Sequence, residues 1–404
     1  MTSIRRFGAG WSSLVMRILC FHLNQVGDLA FSLPALKCIR DSFPDSHITS
    51  VVRPGMKEIL QSTGIPDDIL SRQRGLNIDK LALARTIASG RYDLAVVFSQ
   101  SATCAALAYF SRAPRRVGFN DTSLGFLLTS RVEFHHPPST ENNLRLVQSI
   151  GCGVTCRDYS GLLRATPEQT ERANGVLEAH GVGPGEPIAA LSPGTSGRRG
   201  VKEWTDEGFA AVGRYLDQRG IRPIILGTQP AYSIVKEYDS ILDLSGKTDL
   251  GEAVAILAKS GVLIAVDSGI LHLGAAVETP VVGLYGSSNP AITGPQGDGH
   301  IVLTSGADCS PCVRTECSLG RKCMVDLTPA SVISAIDTIL ARSAPSPDDA
   351  RNGRSADDNR SGRSPSRPVD DARNGRSSDD ARDDRSPDGN RSGRSPSRPE
   401  GGTP

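Results

Sequence analysis

The chain of 404 residues is long enough for two domains of ordinary size with a remainder, and its formal net charge of +1 argues for neither a nucleic acid nor a strongly acidic partner. No stretch approaches the ~20 uninterrupted apolar residues of a membrane-spanning helix. Of the nine cysteines, Cys20, Cys38, Cys104, Cys152 and Cys156 are scattered, three within apolar runs, as in a reducing compartment where a thiol serves as a small apolar group.

The first 23 residues are basic and then apolar, but they lack a small-residue cleavage site, and the apolar part continues into "MRILCFHL" (16–23), which reads as a first strand. Residues 1–15 are expected to be a loose extension, with a short basic interfacial segment as the alternative. "LAFSLPALKCIRDSF" (29–43) has helical spacing, "HITSVV" (47–52) and "YDLAVVF" (92–98) read as strands, and "RRVGF" (115–119) as another. A Gly/Pro-rich break, "HGVGPGEP" (180–187), precedes a restart of the pattern. "PIAALSPG" (187–194) is a strand and loop, "TDEGFAAVGRYLDQRG" (205–220) a helix ended by glycine, and "RPIILGT" (222–228) a strand. "LGEAVAILAKSG" (250–261) is a helix again ended by glycine, "VLIAV" (262–266) a buried strand, and "ASVISAIDTIL" (330–340) a closing helix. From about Ser343 the chain is Asp, Arg, Ser, Gly, Asn and Pro, with "DDARNGRS" at 348–355 and 370–377. Such a segment buries too little apolar surface to offset its ordering entropy and is expected to be disordered.

The expected architecture is α/β: two facing Rossmann-like domains, 16–180 and 181–342, with a cleft between them at the carboxyl ends of the strands, plus the disordered tail 343–404. Three segments at strand ends carry candidate chemistry. In the first, Gly27 and Asp28 lie where the first strand turns into the first helix, and a carboxylate there suits a general base toward a hydroxyl in the cleft. Equally, Asp28 suits an N-cap. The second, "LSPGTSGRRGVKEW" (191–204), combines backbone donors, the hydroxyls Thr195 and Ser196, and the cations Arg198, Arg199 and Lys202, which suits a diphosphate. Its spacing is not that of a Walker A loop. An exposed basic turn with Trp204 as packing anchor is the alternative. In the third, Asp267 ends the strand and Ser268-Gly269 open a helix whose exposed N–H groups and dipole favour an anion, with His272 one turn on and on the same face. The same residues also read as a helix cap followed by a core histidine.

Together these segments resemble the ADP-heptose:lipopolysaccharide heptosyltransferases, glycosyltransferase family 9, over about residues 16–340. The resemblance rests on "GDLAFSLPALKCIRDSFPDSHITSVV", "RRVGF", the Ser-Pro-Gly and Lys-Glu-Trp of 192–204, "LSGKTDLGEAVAILAKSGVLIAVDSGILHLGAAVETPVVGLYGSSNP" (244–290) and Gly294-Pro295. It implies a GT-B fold and inverting, metal-independent transfer of a sugar from a nucleotide diphosphate, with no cofactor and an ADP-heptose-like donor as substrate. By match, Asp28 is the base and Lys202 the diphosphate cation. Thr195, Ser196, Asp267, Ser268, Gly269 and His272 serve the donor. Gly27 and Gln100 are placed on the acceptor side, with Ser99 a further candidate by position. The implied acceptor is a lipopolysaccharide-like or other cell-surface glycan, and the implied setting is cytoplasmic, with peripheral contact at the inner membrane face. Where the family carries an acidic residue after the strand "IILG", this chain reads "TQPAYS" (228–233), with no carboxylate before Glu237. Two other functions are compatible with the residues: another GT-B enzyme such as a nucleotide-sugar epimerase, and a non-enzymatic nucleotide-sugar-binding protein. Cys309, Cys312, Cys317 and Cys323 cluster in one loop as ligandless thiols, disulfides or a structural zinc site.

Overall fold

The computed structural model describes residues 15–72, 77–137, 139–195 and 200–343. The expected extension 1–15 (Val15 apart), the tail beyond Ser343, and Ser196, Arg198 and Arg199 lie outside the described residues.

The first sheet contains β1 (Arg17–His22), β2 (His47–Val52), β3 (Asp68–Ser71), β4 (Leu94–Val97), β5 (Arg115–Phe119) and β6 (Ser130–Val132). Its strands are all parallel, in the order β3-β2-β1-β4-β5-β6. The second contains β7 (Ile188–Ser192), β8 (Arg222–Ile225), β9 (Leu242–Asp243), β10 (Leu263–Val266), β11 (Val281–Tyr285) and β12 (Ile301–Thr304). These are parallel too, in the order β12-β11-β10-β7-β8-β9, which is the same series counted from β7. In each sheet the strand order reverses at one point, between β1 and β4 and between β7 and β10. The crevice outside the carboxyl ends of those strands is where such sheets take ligands.

Period-two alternation sorts the strand residues into layers. Ile18 and Cys20 of β1, Leu94 and Val96 of β4, Ile188 and Ala190 of β7, and Leu263 and Ala265 of β10 enter one shared apolar cluster that also takes in Leu29, Leu33, Leu271 and Ala275. The opposite faces serve separate cores. Leu19, Phe21, Ala95 and Val97 join Leu83, Ile87 and Leu107. Leu191, Ile264 and Val266 join Trp204, Phe209, Leu216 and Ile336. Burying strand residues on both faces explains why these strands read as continuous apolar runs rather than as alternating ones.

The expected helices are present, with shifted ends. The first runs Val26–Ser42, three residues earlier than its apolar pattern, with Gln25 as N-cap. Asp28 is therefore not the N-cap but lies in the first turn, where its carboxylate accepts from the Gln25 N–H at 3.3 Å. The helix Asp206–Gln218 is capped by Thr205, whose hydroxyl accepts from Gly208 N–H at 3.1 Å, and Gly220 beyond its end has φ of +71°. Leu250–Lys259 ends at Ser260 in extended conformation, so Gly261 is not its terminator. Trp204 is the expected anchor: it is buried, donates from Nε1 to the Leu327 carbonyl at 2.9 Å and meets Phe209 edge-on.

Candidate active site

On the second sheet, the residues singled out at the ends of β7 and β10 come together. Lys202, in a short 3-10 turn after the loop, donates from Nζ to Asp267 Oδ2 at 2.5 Å, and the two side chains are only 15% and 8% exposed. A charged pair so far withdrawn from water exists only because each partner compensates the other. The helix Gly269–Ala276 starts directly after, with Ser268 as N-cap. The Ser268 hydroxyl makes no capping bond and is buried without a hydrogen-bond partner among the described residues, as are Ser192 Oγ at the end of β7 and Ser245 Oγ just beyond β9. With Ser305 Oγ just beyond β12, four such hydroxyls stand at the carboxyl edge of one sheet, which is unusual in an interior, where polar groups are normally satisfied. Thr195 is half-buried, and its hydroxyl reaches Glu203 Oε1 at 3.4 Å.

His272 is 3% exposed, and its Nε2 lies 4.0 Å from Asp267 Oδ1, beyond a direct hydrogen bond. Burial lowers its pKa from 6.5 to about 4; Asp267 works against that shift and Lys202 adds to it. The imidazole is therefore neutral at pH 7, and it supplies an N–H rather than a full positive charge.

On the first sheet, Asp28 lines a small cleft with Asn24, Phe31, Phe98, Gln100, Phe134, Ser139 and Asn143. Asn24 Nδ2 donates to the Phe98 carbonyl at 2.9 Å, tying the ends of β1 and β4, and Asn143 Nδ2 donates to the Phe31 carbonyl at 3.0 Å. Gln100 shares the cleft with Asp28. Two of the residues assigned to the acceptor side, Gly27 and the further candidate Ser99, do not line it. Gly27 is not among the residues lining the cleft, and Ser99 is turned inward, its hydroxyl accepting from Ser101 N–H at 3.2 Å.

Gly27 instead forms the seam between the two sheets. A Cβ on it would stand 3.1 Å from His272 Cδ2, and a Cβ on Gly269 would stand 2.7 Å from Val26 Cβ. A side chain at Gly269 would collide with Val26 and one at Gly27 would press on His272, so glycine at both positions favours this close approach of the two helix starts. The helix start that bears Asp28 and the start of the Gly269–Ala276 helix consequently meet at one contact. His272 is held there by Phe31, 4.8 Å away edge-on, and by Tyr159, whose hydroxyl is 2.7 Å from Nδ1. Tyr159, Asn24, Asn143 and the three aromatics were not foreseen. Asn24 and Phe98 could have been found from the strand-end rule, whereas Tyr159 sits in an irregular segment that carries no periodic signal.

Cys309, Cys312, Cys317 and Cys323 form no disulfide. Backbone N–H groups of Arg321 and Leu319 reach Cys317 Sγ and pull its thiol below the ordinary value, while burial raises that of Cys323. Among the described residues no group of three or more His, Cys, Asp or Glu is arranged to hold a metal ion, so the geometry adds nothing to the zinc alternative. Nor is any described helix long and apolar enough to cross a membrane.

Two parallel sheets of matching strand order, meeting at their switch-point edges, define a GT-B type glycosyltransferase fold. Solved structures agree. A glycosyltransferase family 9 protein from Veillonella parvula covers 81% of this chain and 98% of its own at 22% identity, with a TM-score of 0.70. The ADP-heptose LPS heptosyltransferase II of E. coli covers 81% and 99% at 20% identity, with a TM-score of 0.67. In sequence, lipopolysaccharide heptosyltransferase 2 of Salmonella typhimurium is 23% identical over 345 residues, spanning 81% of this chain and 99% of the relative. The family model described as glycosyltransferase family 9 (heptosyltransferase) matches residues 80–323, more than half of the chain, and the protein belongs to that family. It is a glycosyltransferase.

Proposed function

We propose that the protein transfers heptose, or a closely related sugar, from an ADP-sugar to a hydroxyl of a lipopolysaccharide-type acceptor. In this assignment residues 16–180 carry the acceptor and 181–342 the donor. The observation that carries it is the Lys202–Asp267 pair at the opening of the Gly269–Ala276 helix, set against the helix start that bears Asp28. A departing ADP needs its developing negative charge stabilised, and Lys202, the helix N–H groups and the hydroxyls of Ser268 and Thr195 are of the right kind. With a lysine in that role, no metal is required at the diphosphate. Asp28 takes the proton of the attacking hydroxyl, and one displacement by that hydroxyl inverts the anomeric carbon. The amides of Asn24, Gln100 and Asn143 suit the hydroxyls of an acceptor sugar. The lipid-linked acceptor places the enzyme in the cytoplasm, at the inner face of the membrane.

The test is release of ADP from ADP-heptose by the purified chain with and without a lipopolysaccharide-core acceptor, in the presence of a chelator. Acceptor-dependent release that survives chelation is expected. Conversion of the donor without acceptor, or no stabilisation by any nucleoside diphosphate, would sink the assignment.

A further inference from the structure

The group that contacts His272 Nδ1 comes from neither sheet. Tyr159 lies in the irregular segment between the helices Thr140–Gln148 and Pro167–Ala179, yet it docks on the second sheet's side of the seam. Leu163 N–H donates to the Ala276 carbonyl at 3.1 Å, and a Cβ on Gly297 would stand 2.5 Å from Ser160 Oγ. Tyr159 itself is fully buried. Gln296 holds it at both ends, donating from its backbone N–H to the Tyr159 hydroxyl at 3.2 Å and accepting from Tyr159 N–H through Oε1 at 3.2 Å. The Gln296 side-chain amide also donates from Nε2 to Thr140 Oγ1 at 2.8 Å, which fixes its orientation.

That arrangement fixes where one proton resides. The phenol oxygen already accepts from Gln296 N–H, and its own proton has two acceptors in reach: His272 Nδ1 at 2.7 Å and the Gly294 carbonyl at 3.5 Å. The nearer is strongly preferred, because hydrogen bonds at 3.5 Å are weak. A nitrogen that accepts from a hydroxyl carries no proton, so the neutral ring carries its proton on Nε2. Nε2 is the atom on the Asp267 side, 4.0 Å from Oδ1.

We propose that Tyr159 is a positioning residue of the transferase: by donating to His272 Nδ1 it holds the imidazole as the Nε2–H tautomer, so that an N–H is presented at the diphosphate site beside Asp267 and Lys202. The role at the diphosphate rests on the donor assignment above; the tautomer does not. Without the phenol proton, Nδ1 and Nε2 compete for the ring hydrogen, and part of the population turns a lone pair toward the phosphate.

The experiment is a ¹⁵N spectrum of the full chain labelled at its seven histidines, with His272 assigned by the His272→Gln variant. Wild type at pH 7 should show an unprotonated Nδ1 and a protonated Nε2. Tyr159→Phe should show exchange between tautomers and a rise of about tenfold in the Kd for ADP, with kcat at saturating donor less affected. A wild-type Nδ1–H signal overturns the proposal without reference to any variant, whether or not Tyr159→Phe folds. A variant in which only the spectrum or only the Kd changes, or neither, also overturns it. Failure of wild type to bind ADP would overturn the donor assignment instead, and the spectrum would still decide the tautomer.

Discussion

The two sheets share one strand order, yet the side chains at their carboxyl edges differ in kind. The second sheet ends in a buried ion pair, four hydroxyls without a partner among the described residues and the start of a helix. The first ends in amides, aromatics and one carboxylate that already accepts from the backbone of its own helix, with His22 Nε2 and Ser71 Oγ as its own buried polar atoms without a partner among the described residues. On the proposed function, the same scaffold serves a charged donor on one side and the hydroxyls of an acceptor on the other. Backbone topology supplies the positions at the strand ends, and a handful of residues decides what binds there.

The comparison breaks most visibly at Asp28. If this carboxylate is the base, Asp28→Asn should reduce transfer by about 10²–10⁴-fold, as loss of general base catalysis does, while melting temperature changes little. Activity assays with saturating donor check this, and a variant with normal turnover would remove Asp28 from the chemistry.

Lys202 tests the charged side. Lys202→Ala leaves Asp267 buried and uncompensated, which should cost about 3–5 kcal/mol in chemical denaturation. Replacing both partners, Lys202→Met with Asp267→Leu, should recover most of that loss without restoring activity. A single variant as stable as wild type would mean that the pair is solvated and carries little.

Acid should expose the two buried histidines. Burial lowers the pKa of His272 from 6.5 to about 4 and that of His22 from 6.5 to about 3. Between those values and 6.5 the unfolded chain binds protons that the folded chain does not. Their contribution to stability is complete above pH 6.5 and is lost as pH falls from there toward about 4 for His272 and about 3 for His22. Each histidine adds a slope of about 1.4 kcal/mol per pH unit inside that window. Urea titrations at several pH values should show the slope, and His272→Gln should remove one share of it.

The smallest effect should be the most discriminating. Ser268 Oγ is buried and unpaired, so Ser268→Ala should leave the unliganded protein as stable as before, or more stable by up to ~1 kcal/mol, and yet weaken ADP binding. A hydroxyl that only caps the helix would give the reverse: lower stability with unchanged binding.

Much of this layout was legible in the sequence, for a definite reason. Asp267 and Ser268 follow the apolar strand β10 directly, so the strand end itself gives their position, and Lys202 was reached as a cation of the loop that leaves β7. Gln100 was reached the same way, by counting from β4. Pattern alone failed where the chain is irregular. Tyr159 is 113 residues from His272 and 137 from Gln296, and none of the three signals the others through spacing. The close approach of His272 to Gly27 comes from the other sheet and has no local signature. The helix start was missed by three residues because Gly27 reads as a turn residue, whereas Val26, Gly27 and Asp28 already belong to the helix.

The division of labour between the two edges is tested most directly by calorimetric titration of ADP into wild type, Asp28→Asn and Lys202→Ala. Wild-type affinity in Asp28→Asn, together with affinity lowered by tenfold or more in Lys202→Ala, is the predicted result, roughly the loss of one charge-assisted contact. Loss of ADP binding in Asp28→Asn, or undiminished binding in Lys202→Ala, would contradict it.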